Sequence, residues 1–376
     1  MSGGVSGMSS VRVGVLFGGP SAEHDVSCAS ALSVIRALSG SGYEAMAIGV
    51  SRTGGFRLVP EQVLSRLRDG SGAARAIEDR LEVTGPAVQL RAGTTPGIVR
   101  VSPVEDPSTV LAELDVAFPL LHGPFGEDGV VQGVLESLGL PYVGCGVLAS
   151  AVGMNKVAMK RALRAEDVPV TPYVWFDANT FGQVDDPLKL VDGLRWPLFV
   201  KPVSMGSSIG VSRVTEGGDL GAAITDALQY DTQIIVEQGV TGRELECAVL
   251  GGPRPKASSV GEVTVTGGWF DYQQKYFGDA DPMIVPAVLP DGVADRIQEL
   301  SLRAFSAIDG WGLARVDFLY DPDTDDLYVN ELNTMPGFTA HSMYPKVWAA
   351  AGVGYADLVD QLVDLAFQRQ QQRRQW

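Results

Sequence analysis

The chain has 376 residues and a formal net charge of −16, and 45% of its residues are hydrophobic. That length allows two or three domains around a substantial core. The excess of negative charge argues against general binding to nucleic acid or to an anionic membrane.

The cysteines and the start of the chain bear on its cellular compartment. Cys28, Cys145 and Cys247 are widely spaced and form no CxxC motif, which predicts reduced thiols in a cytoplasmic protein. Residues 1–10 lack the basic and apolar regions of a signal peptide, so we expect a disordered tail. No apolar run reaches the ~18 residues of a membrane-spanning helix.

The first elements predict the opening unit of a doubly wound α/β sheet. A strand over 11–17 leads through a Gly-Gly-Pro-Ser loop into a helix over 27–38, and a second strand covers 44–50. Ligands bind at the carboxyl ends of such strands, where Glu23 and His24 lie. The loop lacks the GxGxxG fingerprint, so a nicotinamide-dependent oxidoreductase is not indicated.

The next part of the chain contains one clear strand and one clear helix. Residues 51–108 are rich in Gly, Pro and Arg and predict irregular structure. A buried strand over 114–123 ends in the loop HGPFGEDG, and a helix over 130–138 follows. Candidate substrate loops carry all three histidines of the chain, His24, His122 and His341. Each histidine is also compatible with a purely structural role.

A lysine-bearing helix and a Gly/Ser loop predict a phosphate-binding site. The helix, over 149–164, carries Lys156 and, one turn later, Lys160, and the loop KPVSMGSSIG begins at Lys201 after another strand. The loop's glycines let backbone N–H groups converge on an anion, and its adjacent serines add hydroxyl donors. It is not a Walker loop, because GxxxxGK is absent and a strand follows. A plain Gly/Ser hairpin turn is the alternative interpretation.

Residues 311–344 predict a hairpin that carries a cation site. Alternation along each strand places Arg315 beside Asp317 and Glu331 beside Asn333, so one face presents three oxygen ligands and a guanidinium. Few protein oxygens, completed by water and phosphate, are typical of Mg²⁺. Arg315 is placed to stabilise negative charge in acyl or phosphoryl transfer. A solvated acidic hairpin is the alternative, which the apolar flanking residues disfavour.

Six motifs in order give the chain a family resemblance. They are GGPSAEHDVS (18–27), HGPFGEDGVVQG (122–133), KPVSMGSSIG (201–210), FDYQQKYFG (270–278), GWGLARVDF (310–318) and NELNTMPGFTAHS (330–342). With them the chain resembles the D-alanine–D-alanine ligases of the ATP-grasp superfamily over nearly its whole length. The resemblance implies an α/β ATP-grasp fold of three domains. These are a Rossmann-like domain with a parallel sheet (11–148), a central ATP-grasp subdomain (149–238) and a C-terminal ATP-grasp subdomain (239–376).

The resemblance also implies how ATP and metal ions are held. The phosphates would lie near Lys156, Lys201, Ser207 and Ser208. The adenine would lie along a hinge that includes Glu237, Gly239 and Val240, with the ribose on Glu244. Two Mg²⁺ ions, replaceable by Mn²⁺, would be bound by Asp317, Glu331 and Asn333.

Further residues would bind the two D-alanines. Glu23 would anchor the ammonium of the first, with His122 as a neighbour. Arg315 and the Gly337 N–H would stabilise the tetrahedral oxyanion. The second carboxylate would lie on Ser342 and on the N–H of Met343.

A long loop over 267–282 resembles the family's omega lid, which closes over the site and excludes water from an acylphosphate. Lys275 and Tyr276 lie on this loop. Tyr276 would complete a hydrogen-bonded triad with Glu23 and Ser207. Relatives that make D-alanyl-D-lactate differ at the lid, so Tyr276 favours an amine nucleophile.

The implied function is ATP-dependent ligation of two D-alanines through a D-alanyl phosphate, for peptidoglycan precursors, in a cytoplasmic homodimer. Two alternatives stay open. One is an ATP-grasp ligase that uses another substrate such as D-lactate or D-serine. The other is a non-catalytic nucleotide-binding protein of the same fold, which would not need Arg315 beside a metal site.

Overall fold

Three β-sheets flanked by helices organise the protein in a computed structural model that describes residues 10–68, 80–264 and 282–373. This arrangement confirms the α/β prediction. The strands are β1 Arg12–Gly18, β2 Glu44–Val50, β3 Phe56–Leu58, β4 Ala87–Ala92, β5 Val99–Pro103, β6 Ala112–Leu114, β7 Val116–Pro119, β8 Tyr173–Asp177, β9 Leu198–Pro202, β10 Ser212–Val214, β11 Gln233–Gln238, β12 Arg243–Gly251, β13 Lys256–Val263, β14 Met283–Ile284, β15 Gly312–Asp321 and β16 Asp326–Asn333.

The helices lie between and after these strands. They are α1 His24–Gly40, α2 Glu61–Arg68, α3 Val130–Ser137, α4 Val147–Met154, α5 Lys156–Ala165, α6 Ala178–Phe181, α7 Leu220–Ala227, α8 Val293–Ala307, α9 Met343–Ala350 and α10 Tyr355–Arg373, with a 3₁₀ turn at Pro187–Leu190.

The first sheet is mixed and only partly parallel. Its strand order is β6-β5-β4-β3-β2-β1-β7. The central strand β1 pairs in parallel with β2 and β7, as the doubly wound opening predicts. From β2 to β6 every pairing is antiparallel. The prediction of a parallel sheet therefore holds for three strands of the seven.

The prediction of irregular structure over 51–108 is wrong. This segment supplies β3, β4 and β5 to the first sheet and also contains the helix α2. The strands are short, are separated by Gly and Pro, and expose arginines such as Arg91 on the outer side. Their period-2 signal is therefore too brief to stand out from the turns around them.

Two predicted boundaries also need correction. The helix predicted over 149–164 is two helices, because Asn155 adopts an extended conformation and its Oδ1 accepts from Ala158 N at 2.8 Å. This N-cap begins α5 at Lys156. The strand predicted over 114–123 ends at Pro119 in β7, and the chain then runs as a loop to His122.

The second and third sheets are entirely antiparallel. The second has the order β10-β9-β11-β8, and the third has the order β14-β13-β12-β15-β16. Residues 239–242 link β11 of one sheet to β12 of the other. Gly242 is packed so tightly in this link that a Cβ would lie 2.1 Å from Tyr320 O.

A shared core joins the first and third sheets. One apolar cluster combines β1 and α1 with residues of β12, α9 and α10. Phe338 sits inside it with its ring centroid 5.7 Å from those of Phe118, Tyr344 and Tyr355. Its backbone carbonyl accepts from Tyr355 Oη at 2.6 Å. The loop before α9 is thereby fixed against both sheets.

Several predictions concern residues outside the described ranges. They are the tail over residues 1–9, most of the lid at 267–282, and Lys275 and Tyr276 on it. Among the residues that are described, no helix is long and apolar enough to cross a membrane.

Truncating a core leucine of α10 should destabilise the protein. Leu362 is fully buried, so Leu362→Ala should cost about 2–5 kcal/mol through lost burial and a residual cavity. Leu188→Ala makes the same change at a side chain that is 53% exposed, where about 0.5 kcal/mol is expected. Thermal unfolding midpoints measure both effects, and equal midpoints for the two variants would contradict the assignment of this core.

Candidate active site

Three carboxylates lie side by side across the third sheet. The register pairs Glu246 of β12 with Asp317 of β15, and Asp317 with Glu331 of β16. Directly opposed side chains share one face of a sheet. Like charges at such positions repel, so this acidic wall requires a counter-charge.

Arg315 supplies that counter-charge. Its Nε and Nη2 donate to the two oxygens of Asp317, both at 2.7 Å. Its Nε also lies 2.9 Å from Glu246 Oε2. Burial disfavours the guanidinium charge, but Asp317 and Glu246 outweigh it and hold the pKa of Arg315 well above its usual value. Asn333 Nδ2 donates to Asp317 Oδ2 at 3.0 Å.

A basic wall faces the acidic one across a single cleft. The cleft is lined by Lys156, Lys201 and Ser208 on one side. Asp317 and Glu331 of the third sheet also line it. Lys156 Nζ donates to Met205 O at 2.5 Å, which ties the helix α5 to the Gly/Ser loop. Ser208 and its neighbour adopt positive φ. The structure therefore brings most of the predicted phosphate and metal residues to one cleft.

Lys201 is held from beneath by Glu237. Glu237 Oε2 accepts from Lys201 Nζ at 2.6 Å, and its Oε1 lies 2.9 Å from Lys160 Nζ. Burial acts to raise the pKa of Glu237, but the two ammonium groups lower it to about 2. Lys201 also donates to Asn330 Oδ1 at 3.3 Å.

The other predicted nucleotide contacts lie beside this cleft. Glu244 lines it from β12. Gly239 follows β11 and donates from its N–H to Pro197 O at 2.7 Å, and Val240 comes next in the link to β12. Glu237 differs from these residues because its side chain is buried and engaged by lysines.

The predicted first-substrate residues meet at the loop after β1. Ser207 Oγ donates to Glu23 Oε1 at 2.5 Å across 184 residues of sequence. Gly123 lies close to this carboxylate, 2.9 Å from an added Cβ to Glu23 Oε2, and its φ of +70° is a backbone conformation that favours glycine. His122 is buried and its Nδ1 bonds Met335 O at 2.9 Å. Burial lowers the pKa of His122, so its ring is neutral near pH 7.

The loop 335–342 closes the site at the start of α9. Ser342 is the N-cap of α9 and its Oγ accepts from Thr339 N at 3.1 Å. Gly337 packs closely against Ser342, because a Cβ added at Gly337 would lie 3.2 Å from Ser342 Oγ. Met343 begins the helix with a buried side chain, and N–H groups in a first helical turn lack intrahelical acceptors. Such a helix start suits a carboxylate.

Sequence reasoning missed four residues of this site or gave them no role in it: Glu127, Lys160, Glu246 and Asn330. Glu246 is two residues from Glu244 on the same strand face, so strand alternation could have identified it. Glu127 belongs to the loop motif HGPFGEDG, and its carboxylate accepts from Gly123 N at 2.6 Å and from Met335 N at 3.3 Å. No local pattern pointed to Asn330.

The donor set of the acidic wall fits a magnesium ion. Asp317 and Glu331 are adjacent carboxylates, and Asn333 places an amide beside them. Mg²⁺ commonly takes one or two carboxylates together with substrate phosphates. Within the described ranges no group of three or more His, Cys, Asp or Glu side chains forms an all-protein metal site.

The buried carboxyl group of Glu127 should make stability depend on pH. Burial and the nearby charge of Glu23 hold its pKa well above the usual value. As pH rises past about 4.3, the unfolded chain loses this proton while the folded chain keeps it. The folded state therefore loses stability from this group up to its raised pKa.

Glu127→Gln removes that pH-dependent loss. Thermal unfolding midpoints are measured for wild type and variant at pH 5 and pH 8. The midpoint of the variant relative to that of wild type should be higher at pH 8 than at pH 5. A difference of the same size at both pH values would contradict the raised pKa.

Comparisons with known proteins agree with this geometry. Two family models match, "D-ala D-ala ligase N-terminus" over residues 12–145 and "D-ala D-ala ligase C-terminus" over residues 162–364. The chain is 41% identical to a D-alanine–D-alanine ligase of Ruminiclostridium cellulolyticum, over 98% of each chain. It is 45% identical to one of Mycobacterium sp. strain KMS, over 95% of this chain and 96% of the other.

Solved structures with the same fold extend the comparison. The D-alanine–D-alanine ligase of Coxiella burnetii has a TM-score of 0.81 and 33% identity, covering 98% of this chain and 97% of that one. The VanG D-Ala:D-Ser ligase of Enterococcus faecalis has a TM-score of 0.79 and 30% identity, covering 95% of this chain and all of the other. With both halves matched and relatives aligned along almost their full lengths, the chain belongs to the D-alanine–D-alanine ligase family.

Proposed function

We propose that this protein joins two D-alanines at the expense of ATP, to make the dipeptide used in peptidoglycan precursors. The observation that carries the proposal is the single cleft in which Lys156 and Lys201 face Asp317 and Glu331, with Arg315 fixed beside them. A nucleoside triphosphate with a divalent cation carries negative phosphates that match the lysine wall and a positive ion that matches the carboxylate wall. ATP use is itself implied by membership of the ATP-grasp family.

In the first step, a carboxylate oxygen of D-alanine attacks the γ-phosphorus of ATP. The bond from that phosphorus to the β,γ-bridging oxygen breaks, and ADP leaves with the electron pair. Glu23, held by Ser207, binds the ammonium of this D-alanine, with His122 nearby. Lys156, Lys201 and the serine loop at Ser207 and Ser208 hold the phosphates.

In the second step, the neutral amine of another D-alanine attacks the acyl carbon. Arg315 and the Gly337 N–H stabilise the oxyanion, inorganic phosphate leaves as the amide forms, and the amine's proton goes to solvent. Ser342 and the Met343 N–H orient the second carboxylate. Lys275 and Tyr276, which lie outside the described residues, are proposed to close the site against water.

The remaining site residues complete the proposal for ATP. The adenine would lie along Glu237, Gly239 and Val240, with the ribose on Glu244. Asp317, Glu331 and Asn333 would hold two Mg²⁺ ions, or Mn²⁺ in their place. Held by these residues, a divalent ion would supply positive charge to the phosphates.

We extend the proposal to organisation and compartment. Domains over 11–148, 149–238 and 239–376 each contain one of the three sheets. A cytoplasmic location suits Cys28, Cys145 and Cys247, which are all free thiols. A homodimer is proposed on the family resemblance alone, and light scattering of the purified protein tests it.

The activity is tested with purified protein, ATP and Mg²⁺. D-alanine should cause release of ADP and phosphate in equal amounts and yield the dipeptide, whereas L-alanine should not. The likeness to a D-Ala:D-Ser ligase makes D-serine as second substrate the rival function, so D-serine and D-lactate are run alongside. The proposal fails if D-alanine alone gives no dipeptide.

Loss of the Arg315 guanidinium should slow catalysis strongly. Arg315→Ala should lower kcat about 10²–10³-fold, as removal of one oxyanion donor does. Arg296→Ala is the control, because Arg296 pairs with exposed Asp325 on the surface and should leave kcat unchanged. Steady-state kinetics on variants with matching circular dichroism measure the effect, and a change in kcat below about threefold rejects the role.

A further inference from the structure

Lys160 is a buried cation with no place in the chemistry described above. Its side chain is fully buried in α5, one helical turn after Lys156. Its Nζ lies 2.9 Å from Glu237 Oε1 and donates to Thr171 Oγ1 at 3.1 Å and to Asn330 O at 3.4 Å. The contacts with Thr171 and Asn330 are hydrogen bonds, and the contact with Glu237 is an ion pair.

Glu237 couples this buried lysine to the wall of the cleft. Its second oxygen accepts from Lys201 Nζ at 2.6 Å, and the side chain of Glu237 is only 3% exposed. Lys201 reaches the cleft, with 13% of its side chain exposed. The sequence of contacts Lys160–Glu237–Lys201 therefore runs from the core to the position proposed for the ATP phosphates.

The charges of this series leave a net positive charge at the cleft. Two ammonium groups and one carboxylate sum to +1, whereas Lys201 with Glu237 alone would sum to zero. The surrounding field is unfavourable to phosphate, because Glu331 and Glu244 also act on Lys201 and the whole chain carries −16. Lys160 thus offsets the charge of Glu237, so that Lys201 as well as Lys156 contributes positive charge to this wall.

A fully buried lysine is costly in free energy and needs a reason. A buried ion pair often stabilises less than an apolar pair of the same size. Burial indeed lowers the pKa of Lys160 despite its contact with Glu237. Holding α5 against the second sheet would not require a charge, since an apolar side chain could do the same.

We propose that Lys160 is a positioning residue for ATP, which engages one oxygen of Glu237 and thereby leaves Lys201 aimed at the phosphates with its charge uncancelled. This inference rests on the proposed function only in taking ATP as the nucleotide. Lys160 itself touches neither substrate nor reacting atoms. Its effect should therefore appear in nucleotide affinity before it appears in any step that involves D-alanine.

Nucleotide binding to variants tests the proposal directly. The dissociation constant of a non-hydrolysable ATP analogue with Mg²⁺ is measured by titration calorimetry. Lys160→Met should weaken binding about tenfold, the size expected for one charge at roughly 10 Å in an effective dielectric constant of about 20. The KM for D-alanine should change much less. Lys189→Met removes the same charge from an exposed position and serves as the control.

A double variant separates charge from structure. Lys160→Met with Glu237→Gln removes both buried charges and again leaves a net charge of +1 on Lys201. Because Glu237 is also placed along the adenine, this variant is titrated with inorganic triphosphate and Mg²⁺, a probe without a base, and its affinity for that probe should be within about threefold of wild type. A purely structural role predicts losses that add in the double variant, seen as lower unfolding midpoints. If Lys160→Met does not fold, the double variant decides alone. Affinity near that of the wild type supports the proposal, and a tenfold loss overturns it.

The outcomes for the two proposals are distinguishable. Wild-type affinity for the analogue in folded Lys160→Met overturns the positioning role, whatever the ligase assay shows. Nucleotide binding by the wild type without dipeptide formation overturns the proposed function. The relative affinities of Lys160→Met, Lys189→Met and the double variant still test the role of Lys160.

Discussion

The antiparallel register of β12, β15 and β16 is the constraint on which the site depends. It sets Glu246, Asp317 and Glu331 in one row, an arrangement that repulsion would disfavour without a cation in the same plane. Arg315 lies on β15 two residues from Asp317 and therefore on the same face. Its contacts with Asp317 and Glu246 balance part of the row, and the remaining negative charge is of the sign that attracts a cation.

The basic wall on the other side of the cleft must offset repulsion between positive charges. Lys156, Lys160 and Lys201 come together from α5 and β9, and their mutual repulsion is offset by Glu237, which is shared by two of them. Each wall thus holds a surplus of one sign, limited by a single buried counter-ion. A ligand with anionic phosphates and a divalent cation neutralises both surpluses together, whereas a simple anion or cation would relieve only one.

Much of this could be predicted from sequence where the signal is local. Strand alternation in the hairpin placed Arg315 with Asp317 and Glu331 with Asn333, and the register has those pairs on one face. Contacts between distant segments were less accessible. Glu246 reaches Arg315 from another strand, and Lys160 reaches Glu237 across a helix–sheet interface. The strands within 51–108 escaped notice for a different reason, since short strands among glycines and prolines have almost no periodicity to detect.

The surroundings of Glu23 show how burial can set the charge state of neighbouring side chains. Two titratable side chains lie near it, the buried His122 and the partly buried Glu127, and burial lowers the pKa of the first and raises that of the second. Both shifts favour the neutral form of the side chain. Under the proposed function, an amino acid with its ammonium at Glu23 would direct its carboxylate toward the cleft, where Arg315, Lys156 and Lys201 supply positive charge.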